Sequence, residues 1–194
     1  MEIKDSGNRR EFESGAVRDV DDSKGNTTLL PLDEVSDFLD SEEIGHIRLF
    51  QRYSDTEELY EAIRAFNKNI GWSDADSMLE LSKHFADGMK KYGKDNWKKG
   101  IPISSYMDSG IRHYLKVKAG WDDENHSRAF IWNMMCAIWT MNNKPELDDF
   151  TECGVIRPSE ELMESTKRMA ETFATVKECV RQGKGVGLVN GKYV

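Results

Sequence analysis

Two groups of side chains in this sequence suit chemistry on phosphate. On a predicted helix from about Ser77 to Tyr92, Glu80, His84, Asp87 and Lys91 recur at intervals of three or four residues, which sets them within about 60° of one another on one helical face. Further along, Asp122-Asp123-Glu124-Asn125-His126 stands immediately before the most apolar segment of the chain. Carboxylate oxygens suit a hard cation such as Mg²⁺, which uses few protein ligands and leaves positions for water and phosphate oxygens. Glu80, Asp87, Asp123 and Glu124 are therefore the candidate metal ligands, with His84 or His126 orienting water or a ligand. Plainer readings stand beside these. The helical face also suits a charged surface turned to water, and Asp-Asp-Glu suits the first turn of a helix, where acids complement the dipole.

Cations for phosphate come from Lys91, Arg112 and Lys98, Arg as a bidentate fork and Lys as a point charge. Their alternative is a surface ion pair such as Asp108 with Arg112. Between the two acidic groups runs Tyr92-Gly93-Lys94-Asp95-Asn96-Trp97-Lys98-Lys99-Gly100-Ile101-Pro102, a loop with basic and aromatic side chains. Asn96 and Trp97 are placed there as contacts to base or sugar, Trp97 by stacking. Tyr92 lies on an apolar stripe and reads as packing. Arg112, His113, Lys116 and Lys118 give the following helix a basic flank, from which Arg112 and His113 face the substrate. In the apolar helix that comes next, Asn133 is the polar exception. A buried amide without partners costs about 1–3 kcal/mol, so Asn133 either ties backbones together or faces a polar pocket.

Other chemistries are set aside by what the chain lacks. It carries no serine elbow, and Cys136, Cys153 and Cys179 have neither a metal-ligand spacing nor the density of a disulfide scaffold. Covalent and zinc catalysis are not expected. A formal charge of -8 argues against a protein that coats nucleic acid or anionic membrane. The polar N-terminus lacks a secretion signal, no run reaches the ~20 apolar residues of a membrane span, and a cytoplasmic location follows as the expectation.

These residues must be positioned by helices. Charged residues make up 32% and hydrophobic residues 38% of the 194, so the apolar content is concentrated in a few segments. Residues 1–28 show no apolar period and read as an extended arm, from which Arg18 and Lys24 close over a ligand. A helical pattern from Leu30-Pro31, with a break near Gly45, and a second helix from about Thr56 to Asn69 make a hairpin over 33–75. After the helix ending at Tyr92, another starts at Ser104 or Ser105 with Asp108 as a cap and ends near Gly120. Ala129 to Trp139 is apolar nearly all round, as for a helix surrounded by others. Residues 29–142 are thus the nucleotide-handling domain. Residues 143–194 form an extension with a last helix, Ser159 to about Gln182, and a small β-hairpin about Asn190-Gly191. The fold class is all-α, a bundle of five to six helices.

Ser14-Gly15-Ala16-Val17-Arg18-Asp19, Lys24-Gly25, Leu29-Leu30-Pro31, Gly88-Met89-Lys90-Lys91-Tyr92-Gly93, Asn96-Trp97, Gly100, Arg112-His113, His126 and Trp132-Asn133 together resemble the phage dATP/dGTP diphosphohydrolase family, often termed MazZ-like. That family is similar to the MazG-type all-α pyrophosphohydrolases. The resemblance covers roughly 14–31 and 79–140. It implies a MazG-like bundle, oligomerisation, and an Mg²⁺-dependent cut between the α- and β-phosphates of a purine deoxynucleoside triphosphate, and Mn²⁺ is the alternative cation for the same carboxylates. The products would be a monophosphate and pyrophosphate, of use to a phage that edits its host's nucleotide pool. MazG-type enzymes hold metal with Glu-x-x-Glu and a later Glu-x-x-Asp, whereas here Glu80 is followed by His84 and Asp87 and the core helix begins with Asp123 and His126, so the ligand assignment above rests on this chain's own residues. Two rival readings are a non-catalytic binder that sequesters a signalling nucleotide of host defence, and an interaction module using its acidic surface.

Overall fold

The computed structural model describes residues 7–19 and 24–149, together with 165, 168, 172, 188–189 and 192–193. The chain divides into two units, Met1–Val155 and Ile156–Val194. Among its described residues the first contains six α-helices: α1 (Leu32–Leu39), α2 (Glu42–Tyr53), α3 (Thr56–Ile70), α4 (Asp74–Tyr92), α5 (Ile103–Lys118) and α6 (His126–Asn143). Ahead of them, β1 (Arg9–Glu11) and β2 (Val17–Asp19) pair antiparallel with Arg10 opposite Arg18. In the second unit, β3 (Leu188–Val189) pairs antiparallel with β4 (Lys192–Tyr193). The protein is all-α with small hairpins. No helix among the described residues is long and apolar enough to cross a membrane.

Helix ends fall where the sequence supplies caps. The Ser41 hydroxyl accepts the Ile44 amide at 3.0 Å, and the Asp55 carboxylate accepts that of Glu57 at 3.0 Å. Ser73 and Asp76 satisfy each other's amides in a reciprocal box, which fixes the start of α4. α3 and α4 stop at Gly71 and Gly93, with φ of 73° and 88°, a region that glycine enters without a Cβ penalty.

The core gathers on α6, whose Phe130, Ile131, Met134, Cys136 and Ala137 are fully buried, each large apolar side chain contributing roughly 1.5–3 kcal/mol. Phe130 meets Phe66 of α3 at 4.5 Å and Tyr114 of α5 at 5.9 Å between ring centroids. α5 lies along α6 most extensively and approaches it closely at Gly110, where an added Cβ would stand 2.2 Å from Met134 Cε. The buried Glu43 carboxylate is satisfied by the Asn69 amide at 2.7 Å and the hydroxyls of Ser41 and Tyr114 at 3.1 and 3.3 Å, as a charge removed from water requires.

Several expectations change in detail. The first helical pattern breaks at Asp40, in the left-handed region with φ 49°, because the Ser41 cap starts a new helix there. Gly45 lies inside α2, so 33–75 holds three helices rather than two. α5 begins at Ile103, behind Pro102. Its early amide at Ser104 is capped by Asp149 at 2.8 Å, whereas Asp108 serves another purpose described below. The arm is a β-hairpin fastened to the bundle. The final helix expected from Ser159 to about Gln182 lies outside the described residues apart from helical Ser165, Arg168 and Thr172.

Candidate active site

A pocket of about 1420 Å³ opens between β2, α4, the 96–99 turn, α5 and the start of α6. Its formation depends on the N-terminal hairpin. Asn96, buried in the turn after α4, accepts the Val17 amide at 2.9 Å and donates to the Val17 carbonyl at 2.8 Å. Asp108 of α5 accepts the Thr27 amide at 2.6 Å and the Arg112 guanidinium through both oxygens, at 2.7 and 2.6 Å. Arg112 in turn donates to the Gly25 carbonyl at 2.9 Å. These bonds fasten β2 and the segment from Gly25 to Thr27 to the bundle.

From this fastened hairpin Arg18 reaches inward. Its Nη1 donates to the Ser105 carbonyl at 2.9 Å and its Nη2 to Asn133 Oδ1 at 2.6 Å. The guanidinium lies 5.5 Å from the Tyr106 ring and 6.0 Å from that of Trp132. It lines the pocket, and among the described residues it meets no carboxylate at ion-pair distance. Burial pulls its pKa below the ordinary arginine value, yet guanidinium stays a cation in a protein. A charge held by neutral acceptors and ring faces is suited to an anionic ligand. Asn133 fulfils both roles weighed for it, since Nδ2 donates to the Ala129 carbonyl at 2.8 Å while Oδ1 faces Arg18.

A second wall joins the end of α5 to the start of α6. Gly120, with φ 71°, reverses the chain, and the Asn125 side chain caps α6 by accepting the Arg128 amide at 3.0 Å. Asp122, Asp123 and Glu124 precede the helix, whose first turn contains no acid, so they are not dipole partners within it. The turn brings His113 Nδ1 to 3.0 Å from His126 Nδ1. Glu124 Oε1 stands 3.6 Å from the first of these nitrogens and 3.5 Å from the second. His126 Nε2 meets Asp123 Oδ1 at 2.6 Å, and Lys116 Nζ lies 3.7 Å from Asp123 Oδ2. Burial, then the neighbouring His126, holds the His113 pKa well below the usual histidine range. The three donor atoms of His113, Glu124 and His126 are close enough to share one metal ion. Sequence spacing hid this group because its histidines lie thirteen positions apart on separate helices.

α4 supplies a third wall. His84 stacks on Trp132 at 5.2 Å, and its buried Nδ1 has no hydrogen-bond partner among the described residues. Burial, then the positive charge of Arg128, lowers its pKa to about 3, leaving a neutral imidazole at the pocket. Arg128 itself is buried, with Nη2 3.2 Å from Asp87 Oδ2. Trp97 lines the pocket but also packs on Phe85 at 5.1 Å and Trp139 at 5.0 Å.

The proposed residues are therefore distributed unevenly. His113, Asp123, Glu124 and His126 come together, and so do Arg18 and Asn133. Lys24, His84, Asn96 and Trp97 also line the pocket. Glu80 pairs with Lys83 and Asp87 with Arg128, and neither acid lines the pocket. Lys91 pairs with Asp19, and Arg112 with Asp108. Trp132, Arg128 and Asp19 were not selected for a role from the sequence. The one available signal for Arg128 was a lone basic residue at the edge of an apolar run.

The model of a protein family described as dATP/dGTP diphosphohydrolase, N-terminal, matches residues 61–150, a little under half the chain. The matched stretch takes in the later part of α3 and stops short of the N-terminal hairpin. No curated protein and no solved structure matches the chain.

Proposed function

We propose, from the match of residues 61–150 to the model of the dATP/dGTP diphosphohydrolase N-terminal family, that this pocket hydrolyses purine deoxynucleoside triphosphates to a monophosphate and pyrophosphate with a divalent cation, Mg²⁺ or Mn²⁺. The observation that carries the reading is that one pocket is lined both by His113 and Glu124, two members of a donor group that the buried His126 completes behind them, and by the inward cation Arg18. Its volume exceeds the roughly 300–1,000 Å³ of common small-molecule sites, which leaves room for a triphosphate with ion and water.

A water oxygen bonds to the α-phosphorus while the bond from that phosphorus to the α,β-bridging oxygen breaks. Pyrophosphate leaves with the bonding pair, and a proton is released to solvent. The cation supplies charge neutralisation at the phosphate oxygens. His113, Glu124 and His126 are the residues that would hold it, with Asp123 fixing the His126 ring. Arg18 and Lys24 offset phosphate charge. His84, with a pKa of about 3, is far too weak a base for neutral pH and acts as a neutral hydrogen-bonding group that orients water or substrate. Trp132 and Trp97 offer ring faces to the purine. Lys91 and Arg112 steady the hairpin through Asp19 and Asp108.

Incubating the purified protein with each of the four deoxynucleoside triphosphates and Mg²⁺ or Mn²⁺, followed by anion-exchange chromatography, tests this reading. Monophosphate and pyrophosphate in equal amounts from dATP or dGTP are expected. Intact nucleotide recovered in every case would overturn it.

A further inference from the structure

Three lone-pair donors converge at the α5–α6 turn with separations of 3.0, 3.5 and 3.6 Å. Donors bound at ~2.0–2.2 Å around one ion stand about 3.0 Å apart at right angles and about 3.5 Å apart in a tetrahedron. The spacing matches that of donors around a single coordinated ion. Moreover, Asp123 Oδ1 lies 2.6 Å from His126 Nε2, so that ring turns Nε2 to a carboxylate and Nδ1 toward His113 and Glu124. A carboxylate behind the remote nitrogen of a histidine is the arrangement that fixes metal-binding rings elsewhere. It is a separate observation from the donor spacing.

We propose that His113, Glu124 and His126 form a two-histidine, one-carboxylate metal site that takes a first-row transition cation such as Mn²⁺ or Co²⁺ in preference to Mg²⁺. Mg²⁺ favours an oxygen set, whereas imidazole nitrogen suits the borderline transition ions. A site with two nitrogens among three protein donors therefore disfavours Mg²⁺ on chemistry alone. Three donors leave further positions for water or phosphate oxygens. The inference deepens the metal dependence of the proposed hydrolase, and it concerns binding of the ion by itself.

The test uses the full chain stripped of metal, with no nucleotide present. Free Mn²⁺ followed by electron paramagnetic resonance is expected to show one bound ion per chain, retained against at least a ~10-fold excess of Mg²⁺. Co²⁺ is expected to give a visible absorption band that H113N and H126N abolish. D123N, which leaves the ligands in place, is expected to weaken binding by ~10–100-fold, with circular dichroism checking that each variant folds. Equal competition by Mg²⁺ in the unaltered chain overturns the proposal even if every variant misfolds. So does a Co²⁺ spectrum unchanged in folded H113N and H126N. Hydrolysis failing while Mn²⁺ binds as described would sink the enzymatic reading alone, and Mg²⁺-supported hydrolysis without selective Mn²⁺ binding would sink only the metal preference.

Discussion

Arg18 Nη2 donates to Asn133 Oδ1 at 2.6 Å across 115 positions of sequence, so the charge that faces the pocket is held by a neutral amide of the central helix. Replacing that amide separates support from charge balance. N133A leaves a buried donor without its acceptor, and a loss of about 1–3 kcal/mol in urea unfolding is expected. N133D gives the guanidinium a counterion and is expected to weaken triphosphate binding about 10-fold or more, a change of ~1.4 kcal/mol. Unaltered nucleotide affinity in folded N133D would remove Arg18 from the phosphate contacts.

The depressed pKa of His84 makes stability depend on acidity. Its folded value of about 3 lies below the ordinary 6.5, so below pH 6.5 the unfolded chain takes up a proton that the folded chain refuses. Its contribution is complete above that pH and is lost as pH falls toward 3, by ~1.4 kcal/mol per pH unit. Urea unfolding at pH 7 and pH 5 is expected to show a drop of about 2 kcal/mol from this one group. H84Q should reduce the drop by that amount, while an identical pH dependence in H84Q would show the ring to be solvated.

Gly110 permits the approach that brings His113 and His126 together. An added side chain meets the fully buried Met134, and overpacking of this kind costs about 1–3 kcal/mol. G110V is expected to lower the unfolding free energy in that range and to weaken Mn²⁺ binding. Wild-type metal affinity in a folded G110V would show that helix separation does not set the donor spacing.

Asp108 fastens the segment from Gly25 to Thr27 directly and through Arg112. D108A is expected to hasten trypsin cleavage after Lys24 while the helices keep their circular dichroism. Cleavage at the wild-type rate would mean that other contacts hold this segment.

What the sequence disclosed depended on whether the determining physics was local. Helical periodicity and side-chain caps are local, so α3, α4 and α6 were legible within a few residues. The break at Asp40 escaped because it depends on a serine cap and a left-handed residue, whereas Gly45 merely looked like a breaker. At the site, Asn133 was recognisable as a polar intruder in an apolar helix. The His113 and His126 pair was not, since only the turn at Gly120 and the packing of α5 on α6 unite them. Glu80 and Asp87 share a helical face, as spacing indicated, but their neighbours Lys83 and Arg128 occupy them in ion pairs. Asn96 looked free for a base because the N-terminal residues read as an arm, yet the arm folds into a hairpin that uses both ends of its amide.

The central claim is that this pocket cuts between the α- and β-phosphates, and phosphorus NMR of dGTP incubated with the Mn²⁺-loaded protein tests it most directly. The account predicts that the three triphosphate resonances give way to one monophosphate signal and one pyrophosphate signal, and that E124Q leaves the triphosphate unchanged. Appearance of a nucleoside diphosphate with inorganic phosphate, or a triphosphate spectrum that never changes with the unaltered protein, would contradict it.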